Sequence, residues 1–109
     1  MSWVRHEPAR GLPPGWVRVD RQGRLVFPAA TCREYGLEKF HSCIVYHDSV
    51  HPGLMALQFC EDEGGDYRVS HSHGSVVLTL RGPLRRAGAQ PGRYRLHQEG
   101  GLFVLDFRR

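Results

Sequence analysis

From Trp16 onward, apolar and polar residues alternate with a period of two, and glycine or proline breaks the pattern at regular intervals. Trp16-Val17-Arg18-Val19 reads as a half-buried strand, since successive side chains on a strand point to opposite faces. Asp20-Arg21-Gln22-Gly23 is a turn, with Gly23 placed for positive φ, and Arg24-Leu25-Val26-Phe27 is the returning strand. Pro28 ends that strand where the first turn of a helix tolerates a missing N–H. The spacing predicts a helix over 29–35 with Gly36 as its C′ residue, then strands over 42–46 and 54–59 joined by a loop at 47–53.

The same order returns in the second half. Residues 67–70 predict a strand, 71–74 a turn, 75–79 a strand, and 82–87 a short helix. A strand over 93–97, a hairpin at Glu99-Gly100-Gly101 and a strand over 102–107 complete it. Gly23 to Gly74 is an offset of 51 and Gly36 to Gly88 one of 52, so the register of the repeat holds to one residue. Two copies are too few for a solenoid, and they suit a barrel in which each half covers the apolar face of the other. The expected fold is therefore mainly β: a small pseudo-twofold swapped-hairpin β-barrel with two short helices. Residues 1–15 read as an extended N-terminal arm carrying Trp3. Residues 16–109 form one barrel domain from two repeats, 16–60 and 67–107, joined by the acidic Gly-Gly linker at 61–66.

Composition narrows the class. At 109 residues, with 40% hydrophobic and 24% charged, the chain fits one soluble globular domain and not a disordered one. No apolar run approaches the roughly 18 residues of a membrane span and the first residues lack a signal-peptide core, so no membrane and a cytoplasmic location are expected. Cys32, Cys43 and Cys60 are odd in number and form no CxxC pair, which suits reduced, partly buried thiols.

The net charge is only +4, but its distribution is uneven. No acid falls between Tyr67 and Gln98, a stretch that holds Arg68, Arg81, Arg85, Arg86, Arg93 and Arg95. Between Pro8 and Arg33 lie Arg10, Arg18, Arg21, Arg24 and Arg33 against one acid, Asp20. The acids gather instead in the linker. Arginine's planar fork matches phosphate oxygens and base edges, so this clustering sets nucleic-acid binding level with a merely solvated surface as its reading.

The run Val19-Asp20-Arg21-Gln22-Gly23-Arg24-Leu25-Val26-Phe27-Pro28-Ala29-Ala30-Thr31-Cys32-Arg33-Glu34-Tyr35-Gly36-Leu37 resembles the signature of the AbrB/SpoVT swapped-hairpin family. That signature is a D-x-x-G-R turn, an apolar strand, a proline, a short Arg-containing helix and a Gly-apolar pair. The MraZ proteins, which are similar, carry two such units per chain. Leu84-Arg85-Arg86-Ala87-Gly88 reads like the helix end of the family, whereas Ser70, Ser75 and Thr79 stand where its Asp, Arg and Pro would be. The resemblance implies a bacterial DNA-binding transcriptional regulator. Carried over by position, Arg24 and Arg33 match basic positions of the pattern and Arg18 sits where a basic residue is common. Cys32 replaces the other helix arginine, and Glu34 adds a negative charge beside it. The basic load shifts to Arg81, Arg85 and Arg86 in the second half. The expected DNA-binding residues are thus Arg18, Arg24, Arg33, Arg81, Arg85 and Arg86.

Other chemistry is thinner. His47-x₃-His51 has a ligand spacing but no paired cysteine motif, and no metal or cofactor is expected. No G-x-S-x-G, P-loop or G-x-G-x-x-G occurs, so no enzyme activity is expected. Trp16, Phe27, Tyr46, Phe59, Tyr67, Tyr94, Phe103 and Phe107 fall on strand patterns and are read as core, not as stacking platforms for bases. A homodimer is compatible with a regulator that reads two half-sites. The competing reading keeps the scaffold without DNA binding, as a barrel that binds a protein partner, because fold does not fix function.

Overall fold

Period-two patterning becomes burial as soon as the strands pair. In β1 (Trp16–Val19) Val17 and Val19 point inward and Arg18 outward, and in β2 (Arg24–Phe27) Leu25 and Phe27 are inside. The computed structural model describes residues 15–108, so the expected arm, Trp3 included, lies outside the described residues except for Gly15. After β2 come α1 (Ala29–Tyr35), a 3₁₀ turn (Leu37–Lys39), β3 (Ser42–His47) and β4 (Leu54–Cys60). The second half holds β5 (Tyr67–Arg68), β6 (Ser70–Ser72), β7 (Ser75–Thr79), α2 (Arg81–Arg86), β8 (Gly92–Glu99) and β9 (Leu102–Asp106).

All pairings are antiparallel, and the strand order is β5-β3-β4-β9-β8-β1-β2-β7-β6. The two ends of that order are consecutive in the chain. Val69 sits between them, 5% exposed, and donates its N–H to the His41 carbonyl at 3.0 Å. The segment therefore leaves the edge of β3 and joins that of β7, nearly closing a barrel and leaving little open edge. Exchanging β1 with β5–β6, β2 with β7, β3 with β8 and β4 with β9 maps every neighbour in the order onto another neighbour. The β2–β7 and β4–β9 pairs join the halves, with Val26 opposite Val77 and Ala56 opposite Val104.

The expected strand over 67–70 is thus two short strands, because it changes partner at Val69. His71 lies on β6, and the turn shrinks to His73 (φ 50°) and Gly74 (φ 83°) between the partners Ser72 and Ser75. Two residues of positive φ make the hairpin turn that matches strand twist. The first turn is longer. Asp20 accepts the N–H groups of Gln22 and Arg24 on one carboxylate oxygen, each at 2.9 Å.

The core is one cluster centred on edge-to-face rings, with Phe59 5.6 Å from Phe27 and 5.5 Å from Phe103. Tyr46 departs from expectation. Cys43 and Val45 of β3 face the core opposite Phe59 and Leu57, so Tyr46, opposite Ala56, lies on the outer face, is 44% exposed and donates its hydroxyl to Gln58 Oε1. Trp16, Tyr67 and Tyr94 are half-buried. All three cysteines are free thiols, and burial pushes the Cys43 thiol up to about 12. The acidic linker is strapped to β3. Buried Ser42 donates its hydroxyl to the Asp62 carbonyl at 2.7 Å and accepts the Gly65 N–H at 2.8 Å.

Candidate functional site

Strand register decides which arginines meet. Arg18 of β1 has Arg93 of β8 as its direct partner and Val26 of β2 on its other side. Arg24 lies two residues before Val26 on the same outer face, which makes it a diagonal neighbour of Arg18. Thr79 is the partner of Arg24, and Arg81 follows two residues later at the start of α2. Arg93, Arg18 and Arg24 on three consecutive strands and Arg81 at the start of α2 therefore form one row, all exposed. Beside Arg93, Arg95 places its guanidinium 5.9 Å from the centre of the Trp16 ring.

The row ends in an open cleft of about 490 Å³ between the first turn and α2. Its walls carry Arg21, Arg81 and Arg85, and among the described residues Asp20 is its one acid. Two hydrogen bonds join turn to helix: the Leu80 N–H donates to the Gly23 carbonyl at 2.9 Å, and Arg81 Nε to the Gln22 carbonyl at 3.0 Å. The approach is close enough to require glycine. A Cβ on Gly23, whose φ is 77°, would lie 3.0 Å from the Arg81 Cα and closer still to its side chain. At the other end of α2, the Gly88 N–H bonds to Arg85 O and the Ala89 N–H to Leu84 O, each at 3.0 Å. That pattern is the Schellman cap, with Gly88 in its left-handed position.

Asp20 governs one member of the row. Arg24 Nε donates to Asp20 Oδ2 at 2.7 Å. Desolvation raises the Asp20 pKa, but the backbone N–H of Arg24, its guanidinium and the Gln22 N–H together outweigh this and hold the carboxyl below its usual value. Among the described residues, the other arginine held by an acid is Arg108, paired with Asp106 at 2.9 Å. The linker acid Glu61 pairs with Lys39, not with an arginine.

Of the residues expected from sequence, the structure brings Arg18, Arg24, Arg81 and Arg85 to this region. Arg33 is exposed on α1, the counterpart of α2, and so belongs to the opposite end of the pseudo-symmetric barrel. Arg86 is exposed too, but it lines a different cleft together with His47. Arg21 and Arg93 join the site although the family pattern does not mark them. Arg93-x-Arg95 carried the alternation that puts both on an outer face, but its partner strand could not be read from sequence. Near the second turn, His71 brings Nε2 within 2.8 Å of the Phe40 carbonyl, and its ring centre is 6.4 Å from that of His41. Among the described residues, no group of three or more His, Cys, Asp or Glu is placed to hold a metal ion, and no helix is long and apolar enough to cross a membrane.

Comparison with known proteins finds no matching family model, no matching curated protein and no matching solved structure.

Proposed function

We propose that this barrel binds duplex DNA through the arginine row and the cleft it enters, as a transcriptional regulator of the AbrB-like kind. The observation that carries the reading is the register: Arg93, Arg18 and Arg24 fall on adjacent strands, Arg81 starts the helix that follows the next strand, and Arg21 and Arg85 flank the end of the row. Arg18 directly opposite Arg93 is a like-charge pair, which disfavours the sheet unless a polyanion neutralises it. Each phosphate met by an arginine releases a condensed counterion, so a row of this kind supplies affinity that is independent of sequence. The D-x-x-G-R turn resembling the family signature is also the element that docks on α2, which ties the resemblance to the basic surface.

The rival reading, a barrel that binds a protein, would gain from arginines paired with the linker acids, and Arg24 and Arg108 pair elsewhere. Titrating a duplex with the chain at about 50 and 200 mM salt tests the proposal. A fall in affinity of about a thousandfold over that range, for six phosphate contacts, is expected. No detectable binding at the lower salt ends the DNA reading.

A further inference from the structure

The pseudo-twofold relation of the halves exposes one place that is filled on one side and empty on the other. Tyr35 closes α1 just before Gly36, and Ala87 follows α2 just before Gly88, so Tyr35 and Ala87 are counterparts. The Tyr35 ring packs edge-on against Phe103 with centroids 5.2 Å apart. Phe103 and Met55 each precede the Ala56–Val104 pair by one residue, so they too are counterparts. Where α2 meets Met55, the phenol is missing and a cleft of about 330 Å³ remains. Val45, Leu54, Met55, Tyr67 and Ala87 supply the apolar part of its walls. The charge beside it is also inverted, because Arg86 stands where the first half has Glu34, and His47 shares the lining. Among the described residues, no acid lines the cleft.

We infer that this cleft is a binding site for a small aromatic carboxylate. The first half of the barrel shows what shape the space accepts: one six-membered ring laid against the end of a helix and the residue before the central pair. Arginine in place of Glu34 selects an anion at the edge of that ring, with the planar fork meeting a carboxylate through paired hydrogen bonds. A concave volume near 300 Å³ with apolar walls on one side and a fixed charge at its edge has the make-up of a small-ligand site, here partly open to solvent. The inference rests on the two helix ends and not on the DNA reading, and its test contains no DNA.

The experiment titrates 4-hydroxybenzoate, with phenol and acetate as partial probes, into the isotopically labelled chain and follows amide shifts. Saturable binding of 4-hydroxybenzoate is expected with a dissociation constant at or below about 1 mM, the range open to a ten-atom ligand. The shifts should centre on Val45, Met55 and Ala87, with phenol and acetate each weaker by about tenfold or more. Arg86→Gln should weaken the carboxylate by about tenfold and leave phenol unchanged, a split that a merely structural arginine would not produce. Ala87→Tyr supplies the missing ring from within and should abolish binding. No saturation up to about 10 mM, shifts centred elsewhere, or wild-type affinity in Ala87→Tyr each overturns the assignment. Should Ala87→Tyr fail to fold, unchanged affinity in Arg86→Gln overturns it alone.

Discussion

The two ends of the pseudo-symmetric barrel share one plan and differ in chemistry. At one end the five-residue Asp20-to-Arg24 turn docks on α2, and Arg21, Arg81 and Arg85 surround a cleft. At the other the two-residue His73-Gly74 turn approaches α1, whose basic residue is Arg33, with Glu34 next to it. The first end carries permanent charge. The second has His71 and His73 beside its turn in place of arginines. The pseudo-symmetry makes the two surfaces equivalent in plan, and the arginines gather round the turn and helix of one of them.

Glycine offers the harshest test of that difference. Gly23 has φ 77° and a Cβ there would meet the Arg81 Cα at 3.0 Å, whereas a Cβ on Gly74 (φ 83°) would meet Ala29 Cβ at an ordinary 3.4 Å. Left-handed backbone alone costs an L-residue about 1–2 kcal/mol, and overpacking adds about 1–3 kcal/mol. Gly23→Ala should therefore lose about 2–5 kcal/mol and Gly74→Ala about 1–2 kcal/mol in denaturant unfolding. Equal losses would mean that the turn does not clasp α2 as described.

Salt dependence separates the ends functionally. Arg81→Ala combined with Arg85→Ala should lower the slope of log affinity against log salt by about two, and Arg33→Ala by almost nothing. Arg24→Ala should cost less than one full contact, since Asp20 already holds its guanidinium at 2.7 Å. Conversely, Asp20→Asn should tighten DNA binding severalfold by releasing Arg24 and removing the one acid in the cleft. An Arg33 variant as impaired as the double variant would instead indicate that both ends meet DNA.

Much of the fold was legible because it is local. Alternation located the inner faces of β1, β2, β4, β7 and β9, and the helix over 29–35 has the bounds expected from Pro28 and Gly36. The break at Val69 was not legible, because it depends on which two strands the segment joins across the barrel. Tyr46 was misread as core because an aromatic on a strand was taken as buried, whereas the alternation of β3, with Cys43 and Val45 inside, puts it on the outer face. For the site, charge clustering pointed to arginine-rich segments, yet only register could align Arg93 with Arg18 and separate Arg85 from Arg86. Sequence alone likewise could not show that Tyr35 fills a space its counterpart Ala87 leaves open.

The smallest expected effect concerns acid. The Asp20 pKa is lowered from its model-compound value of 3.8, with desolvation outweighed by the hydrogen bonds from Arg24 and Gln22. A carboxyl whose folded pKa is depressed stabilises the fold above the unfolded pKa, and that contribution is lost as pH falls through the folded value. Asp48 and Asp106 are lowered as well, by the N–H groups of His51 and Val50 and by Arg108, so the wild-type chain loses support from three carboxylates below about pH 4. The second turn has no carboxylate to titrate, so this acid sensitivity belongs to the first turn, the β3–β4 loop and the end of β9. Asp20→Asn should leave the stability profile flat where wild type and variant are both ionised elsewhere, near pH 7, apart from a constant offset for the lost turn bonds. Between about pH 4 and pH 2 the two curves should converge, because protonation then removes from the wild type what the substitution has already removed. Curves that stay parallel down to pH 2 would show that Asp20 holds the turn by geometry alone and that its charge contributes nothing to the difference between the two ends.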